Sequence, residues 1–502
     1  MQVHNAQLDV LIVGAGPVGL FLANECARRH LRYRIVEKNP SQSEHSKALA
    51  IFPRTLEIFD MAGLVSPFLE VANRATSVEV LAHGRTLAHM PFAPEDSVYP
   101  FIAMVPQDVT ERLLVQHLAA QGGKVEYATS CVDAVERDDH VSVTLEHNGE
   151  REESSAAFVV GCDGAHSLIR HLLNLTFEGA EYHDLFLLAD IDTNDGLPAD
   201  QLQLCPHESG PLAIFPMSAT RRRIVAMIQQ PEGDAPSLDL VRKMLVERAP
   251  QAIQAHALRW SSYFHIHHRH VSQLRVGRMF VAGDAAHIHS PFGGQGMNTG
   301  LQDVWNLAWK LDLALSGHGN ERLLDSYTAE RLPVIKQVVE TTDRLTRVMG
   351  TPNRFAQTLR DTVIPMVSRL APFQHAFVER LSELGVAYRG SPIVDGAGKR
   401  HFDESVRGGQ GICNRFLLLI DEDADPVTMQ EAARLTESFE EVVELRASRH
   451  QGITLVRPDG YVAWEGTVKG EDTPWEAIRS LLREQTGDTV AETTQAGASG
   501  VA

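Results

Sequence analysis

Residues 8–13, Leu-Asp-Val-Leu-Ile-Val, form a short apolar run rich in β-branched side chains that stops at a glycine. Such a run reads as a strand covered on both faces of a parallel sheet. A helix is expected from Pro17 to about Arg29 and a second strand from Tyr33 to Glu37, which together make one βαβ unit. Further strands are expected at 78–82, 125–129, 141–146, 156–161, 185–191, 201–205, 212–215 and 223–229, mostly alternating and separated by polar or Gly/Pro turns. The stretch 175–275 therefore reads as a second, largely antiparallel layer. From Met297 to Leu315 the apolar positions Leu301, Val304, Trp305, Ala308, Leu311 and Leu315 keep helical spacing, and helical segments continue to about Leu384. Glycine-rich residues 385–410 read as a linker. Beyond it, a strand at 416–420, an amphipathic helix near 427–438 and strands at 441–445 and 453–456 build a third α/β unit over 411–490. The small, polar residues 491–502 read as a disordered tail.

Directly after the first strand stands Gly14-Ala15-Gly16-Pro17-Val18-Gly19, a GxGxxG between strand and helix, with Glu37 and Lys38 at the end of the next strand. That context makes the motif specific. Gly14 permits a tight turn, Gly16 lets the backbone approach a pyrophosphate, and Gly19 allows the helix to lie close to the sheet. The helix start offers oriented N–H groups to phosphates, and Glu37 is placed to accept hydrogen bonds from ribose hydroxyls. The motif alone does not separate NAD from FAD. Two later segments do. One is Val159-Val160-Gly161-Cys162-Asp163-Gly164-Ala165-His166-Ser167, a strand ending in Asp-Gly that runs into a helix. The other is Met279-Phe280-Val281-Ala282-Gly283-Asp284-Ala285-Ala286-His287, followed by Pro291-Phe292-Gly293-Gly294-Gln295-Gly296-Met297-Asn298. An acid ending a strand can bind ribityl hydroxyls, and a glycine-rich loop at a helix start can stabilise the electron-rich edge of a reduced flavin.

In this order the three motifs resemble the single-component FAD-dependent aromatic hydroxylases of the para-hydroxybenzoate hydroxylase type, in the branch of phenol hydroxylase and the polyketide-tailoring hydroxylases. Lys47-Ala48-Leu49 and Pro53-Arg54-Thr55-Leu56-Glu57-Ile58 are similar to that family's segment under the flavin, and Gln107 to Leu113 to its following helix start. Lys47 stands where many relatives carry Arg. The resemblance implies that Gln107 touches FAD and that Gly283 and Asp284 meet its ribityl or pyrophosphate region. It places Pro291, Gly294, Gly296, Met297 and Asn298 around the isoalloxazine, and has Asp163 serve both FAD and the reductant. Leu455 to Trp464 resembles a thioredoxin-like tail, here without the CxxC that disulfide exchange needs. The implied architecture is α/β: a Rossmann-type FAD-binding domain (1–174 with 275–384), an inserted, largely antiparallel substrate domain (175–274), and a C-terminal thioredoxin-like domain.

The implied activity is monooxygenation. NAD(P)H reduces FAD, dioxygen adds to give a flavin C4a-hydroperoxide, and an electron-rich aromatic substrate takes one oxygen atom. No second GxGxxG marks a nucleotide-donor site, so NADPH or NADH is expected to bind transiently. Phe215, Pro216, Pro291 and Phe292 are the expected substrate-lining residues, and no residue is assigned as catalytic base. No cationic anchor for a small carboxylate stands out, which favours a phenol or polycyclic polyketide. Baeyer–Villiger oxygenation and a non-catalytic, flavin-binding assembly protein are the alternatives.

Composition narrows the partners. Over 502 residues the hydrophobic fraction is 43%, and Asp plus Glu exceed Lys plus Arg by 65 to 46, a net charge of −19. Such a chain repels nucleic acid and anionic membranes. Cys26, Cys131, Cys162, Cys205 and Cys413 form no CxxC pair and read as reduced thiols, so the cytoplasm is expected; a homodimer is compatible with the family. His265, His267, His268 and His270 alternate between two strand faces, which reads as pocket or exposed polar residues and not as a metal site.

Overall fold

The computed structural model describes residues 7–43, 46–82, 85–194, 196–249, 253–289, 293–349, 354–409, 414–449, 451–467 and 474–486. The first strand, Leu8–Val13, lies at the centre of an eight-stranded sheet, parallel to Tyr33–Val36 on one side and to Glu150–Gly161 on the other. Met279–Val281 continues the parallel set beyond Glu150–Gly161. Val10, Leu11 and Ile12 have no exposure at all, as expected for a strand with both faces covered. The registers align: Val13 pairs with Gly161 and with Val36, and Gly161 pairs with Val281. The loops that follow these strands therefore leave the sheet along one edge.

The second sheet has eight strands, and all its pairings are antiparallel except that of Gln201–Cys205 with Ser77–Ala82. It also takes in Ser77–Ala82 and Arg85–Pro91, which lie outside the 175–274 span expected for this layer. Sequence position hides this, because parallel pairing joins segments that are distant along the chain. Along Phe177–Thr193, Leu185, Leu187, Ala189 and Ile191 pack with Val241, Met244 and Leu245 of the helix Leu238–Arg248. Phe186 and Leu188 belong to the other face, so the alternation of a strand sorts the sheet into a core side and a site side.

The helix Gly296–Leu315 is buried from Met297 to Ala314, and Trp305 stacks on Phe21 with ring centroids 6.1 Å apart. Three more helices follow: Glu321–Met349, Arg354–Val367 and Ala371–Ser382. Residues 385–409 are not a loose connector. Tyr388, Ile393 and Val406 are buried, Arg400 pairs with Glu57, and Arg407 pairs with Asp60. Five of the six glycines of this stretch, Gly390, Gly396, Gly398, Gly408 and Gly409, have positive φ. They supply tight turns that fasten the strap to the first domain.

The C-terminal unit is a four-stranded sheet in the order Val443–Ser448, Phe416–Asp421, Ile453–Val456, Val462–Gly466, with the helices Pro426–Ser438 and Pro474–Thr486. Its last strand and last helix were not anticipated. Its core is shared, because Trp309, Leu313 and Leu323 of the preceding helices pack into it and Trp309 meets Phe416 edge-on at 5.6 Å. Residues 491–502 lie outside the described residues. No helix among the described residues is long and apolar enough to cross a membrane.

Candidate functional site

At the aligned strand ends the chain must turn sharply. Gly14 does so with φ +101°, and a Cβ there would sit 2.5 Å from the carbonyl oxygen of Cys162. A Cβ on Gly19 would lie 2.0 Å from the Gly14 oxygen, so both positions require glycine for close backbone approach. Gly16 differs. Its backbone is extended, and a Cβ would meet nothing within 4 Å, which leaves a gap in front of the helix Pro17–Arg28. That helix has no side-chain cap, so its first N–H groups remain available to an anion. Glu37 accepts from the Ala15 N–H at 2.9 Å and from the Asn39 N–H at 3.0 Å, which pins its carboxylate beside the turn. Lys38 is exposed and does not line the cavity described next.

A cavity of about 700 Å³ opens above this turn. Gly16, Pro17, Lys47, Gln107, Asp284, Gly294, Gly296, Met297 and Phe215 all line it, so residues from six separated stretches meet in one place. Asp284 lines the cavity with an exposed side chain, and desolvation by the surrounding protein raises its pKa against the pull of His287 and Lys47. Its turn, Gly283–Ala285, is held from behind: the Gly283 N–H donates to Asp303 at 3.2 Å, and Asp303 is fully buried. Gln107 accepts from the Ala48 N–H at 3.1 Å and donates at 2.9 Å to Glu111, whose carboxyl burial pushes up to about 7. Like the first helix, Gly296–Leu315 begins without a side-chain cap, and its start faces the cavity at Gly296 and Met297.

Several expected residues take other places. Asp163 does not line the cavity; its Oδ2 accepts from the N–H groups of Leu168 and Ile169, which caps the helix Leu168–Leu172. Its Oδ1 is buried without a hydrogen-bond partner. Asn298 is fully buried and does not line the cavity. It accepts from the Phe52 N–H at 3.0 Å and donates to the Ala50 carbonyl at 2.9 Å, tying the Gly296 helix to the segment under the cavity. Pro216 is also off the wall, because it follows Phe215 on a strand and successive residues face opposite sides. Pro291 and Phe292 lie outside the described residues. His265 is exposed and His268 buried, and no group of His, Cys, Asp or Glu among the described residues is arranged to hold a metal ion.

The wall opposite the glycine turns is apolar: Leu188, Phe215, Val225 and Phe264 contribute to it from four strands of the second sheet. Arg223 reaches this wall from the buried interior. Its guanidinium grips Asp190 at 2.7 and 2.8 Å and donates to the carbonyls of Lys47 and Ala48 at 3.2 and 3.0 Å. Arg223, Asp190, Asp303, Leu188, Val225 and Phe264 were all missed from sequence. The alternation of the strands was the available signal for Leu188 and Val225, which face each other in register; nothing local marks the others. Behind the loop, Gln302 donates to Glu383 at 2.5 Å, and burial lifts the Glu383 carboxyl to about 8.

A parallel sheet, a glycine turn with a gap at Gly16, two uncapped helix starts and an acid at each of two strand ends define a dinucleotide-binding oxidoreductase, and this donor set fits FAD. The chain belongs to the FAD binding domain family, which it matches over residues 7–342. It is 33% identical to 6-methylpretetramide 4-monooxygenase of Streptomyces rimosus, over 94% of this chain and 93% of that enzyme. It is 30% identical to rifampicin monooxygenase of Streptomyces venezuelae, over 92% of this chain and 96% of the relative. Among solved structures, anhydrotetracycline hydroxylase of Streptomyces rimosus superposes with a TM-score of 0.77 at 29% identity, covering 96% of this chain and 99% of that one. The protein is an FAD-dependent monooxygenase, of a family that draws its electrons from NAD(P)H.

Two outcomes test the site. The extended backbone at Gly16, φ −71° and ψ −179°, accepts a β-branched residue, so Gly16→Val is expected to fold with the thermal stability of the parent apoprotein yet purify without flavin. Yellow, fully loaded protein would remove the glycine turn from the cofactor site. Glu383 holds its proton up to about pH 8, whereas the unfolded carboxyl releases it near 4.5. Stability from this group is therefore full below pH 4.5 and falls as pH rises towards 8, by roughly 1.4 kcal/mol per unit at most. Urea unfolding across pH is expected to show Glu383→Gln matching the parent near pH 4 and exceeding it increasingly up to pH 8.

Proposed function

We propose that the enzyme hydroxylates a phenolic or polycyclic aromatic, polyketide-like small molecule, with NAD(P)H and dioxygen. The observation that carries this reading is the two-sided cavity: polar turns and helix starts on one side, and Leu188, Phe215, Val225 and Phe264 on the other. Relatives named for 6-methylpretetramide, rifampicin and anhydrotetracycline support the size of the substrate.

FAD, once bound and reduced, supplies the activation of dioxygen and the transfer of one oxygen atom. The chain's own residues bind and shield. Gly14, Ala15, Gly16, Pro17 and Gly19 would cradle the pyrophosphate at a helix start, with Glu37 towards the ribose. Lys47, Gln107 and Asp284 would hold the middle of the cofactor, and Gly294, Gly296 and Met297 the isoalloxazine. The apolar side chains of the second sheet exclude water from the reacting edge, which protects a reactive oxygenated state from wasteful breakdown. Arg223 keeps the Lys47–Ala48 carbonyls in place and is itself neutralised by Asp190.

We divide the chain into an FAD-binding domain (1–174 with 275–384), a substrate-binding sheet (175–274) and a thioredoxin-like C-terminal domain. The last assignment is supported by its sheet order and flanking helices, and without a CxxC it has no disulfide chemistry. The cytoplasm is the location that suits Cys26, Cys131, Cys162 and Cys205, the free thiols among the described residues.

The test is the rate of NADPH and NADH oxidation, with oxygen uptake, by yellow protein offered phenols, naphthoquinols and anthracyclic polyketides. Stimulation by a polycyclic phenol with a hydroxylated product is expected, and product connectivity separates a new hydroxyl from an inserted ester oxygen. Stimulation by no aromatic compound would overturn the reading. Narrowing the wall with Val225→Trp is expected to raise KM for that substrate about tenfold, equivalent to ~1.4 kcal/mol, and to leave KM for the nucleotide unchanged.

A further inference from the structure

The turn Arg457-Pro458-Asp459-Gly460 of the C-terminal unit lies inside the molecule, with Arg457 and Asp459 both at 0% exposure. Arg457 clamps Glu330 through both terminal nitrogens, one of them at 2.9 Å, and holds Asp459 at 3.0 and 2.5 Å. Glu330 also accepts from Lys310 and Asn306, each at 2.7 Å, and from Ser391 at 2.6 Å. The Asp459 carboxylate accepts from Asn306 at 3.2 Å. Its backbone carbonyl accepts from the Trp305 indole at 3.0 Å and from Arg54 at 3.3 Å.

These partners lead to two elements that line the flavin cavity. Arg54 stands in the helix Pro53–Met61, directly after the segment Lys47 to Phe52, whose residues 47–50 line the cavity. Trp305 and Asn306 belong to the Gly296 helix, whose start lines the cavity at Gly296 and Met297, beside residues 50–52. Next to Glu330, Arg331 donates to Asp303 at 2.9 Å and to the Thr299 carbonyl at 3.2 Å. Asp303 in turn holds the Gly283 N–H and lies 2.8 Å from His287.

We propose that the Arg457–Asp459 turn is a positioning element of the flavin site, through which the C-terminal unit fixes the spacing between the Lys47–Phe52 segment and the Gly283 and Gly296 turns. A network of this kind is a poor way to obtain stability, because each buried ion carries a desolvation penalty that apolar packing avoids. What it supplies is a single arrangement. Lys310, Arg457 and Arg331 are matched by Glu330, Asp459 and Asp303, and a shift of any one element leaves a buried charge unpaired, at a cost that keeps the displaced state empty. Neither Arg457 nor Asp459 lines the cavity; they act through Arg54, Trp305, Glu330 and Arg331. The proposal rests on the FAD site alone, so a failed search for the aromatic substrate leaves it standing.

The experiment uses the full chain with FAD. Asp459→Asn keeps the shape of the side chain and the backbone carbonyl but removes the charge facing Arg457. It is expected to weaken FAD binding about tenfold, measured by flavin fluorescence titration, and to shift the visible spectrum and reduction potential of the bound flavin. Leu435→Ala, a buried core residue of the same unit away from the turn, is the control for stability. It is expected to lower Tm and leave FAD affinity, spectrum and potential at parental values. Should Asp459→Asn fail to fold, Arg457→Lys keeps the cation and loses the fork, with the same signature expected in smaller measure. Parental affinity, spectrum and potential in the turn variant would overturn the proposal, and so would equal losses of FAD affinity in both variants at matched Tm.

Discussion

Val13 pairs with Gly161 on one side and Val36 on the other, and Gly161 pairs in turn with Val281. This alignment of parallel strands is the constraint from which the cofactor site follows. Each strand is fully committed to the core along its apolar length, so none can slip by one residue without turning buried side chains outward. The first residue after each strand is therefore fixed at the same edge. Gly14, Glu37, Cys162 and Ala282 are separated by up to hundreds of positions in the chain, yet they follow four aligned strand ends, and ligands of open α/β sheets bind at such an edge.

Alignment alone would leave the loops free to wander, and buried polar side chains prevent it. Asp303 fastens the Gly283 turn, Asn298 joins the Gly296 helix to residues 50–52, and Asp163 spends its carboxylate on a helix cap. Each is buried or half-buried and each bonds at least one backbone group, where the loss of a partner leaves an unsatisfied group. The polar residues inside this core therefore define loop geometry, while the apolar ones supply the stability.

This division explains what could be read in the sequence. Strand pattern, glycine turn and terminal acid are local signals with a fixed spacing, so the nucleotide-binding unit and the residues Gly14, Gly16, Gly19 and Glu37 were legible. The antiparallel layer was legible as alternation, but its parallel join to Ser77–Ala82 was not. Arg223 and Asp190 acquire meaning only when two strands bring them face to face in register, and single residues on a strand carry no mark of that. The strap 385–409 misled because glycine signals turn and linker alike; positive φ at five of its glycines, with Arg400 and Arg407 on buried partners, decides for turn. Asp163 and Asn298 were assigned by likeness to a motif, and a motif does not say which way a side chain points.

The Arg223–Asp190 pair also bears on what the cavity can admit. A free guanidinium on an apolar wall would attract a carboxylate ligand strongly, because no water competes for it. Here both faces of the fork are occupied: Asp190 takes two of the donors, and the carbonyls of Lys47 and Ala48 take another. The charge is compensated before any ligand arrives, so an anion gains little at this wall and must still lose its hydration. The neighbouring surface of Leu188, Phe215, Val225 and Phe264 instead rewards area, in proportion to the apolar surface removed from water. A wall of this kind discriminates by size and shape, which suits a large, uncharged aromatic ring system better than a small benzoate. The same paired arginine that denies an anchor to an anion holds the Lys47 and Ala48 carbonyls at the cavity wall, so the neutrality of the wall and the place of that segment share one ion pair.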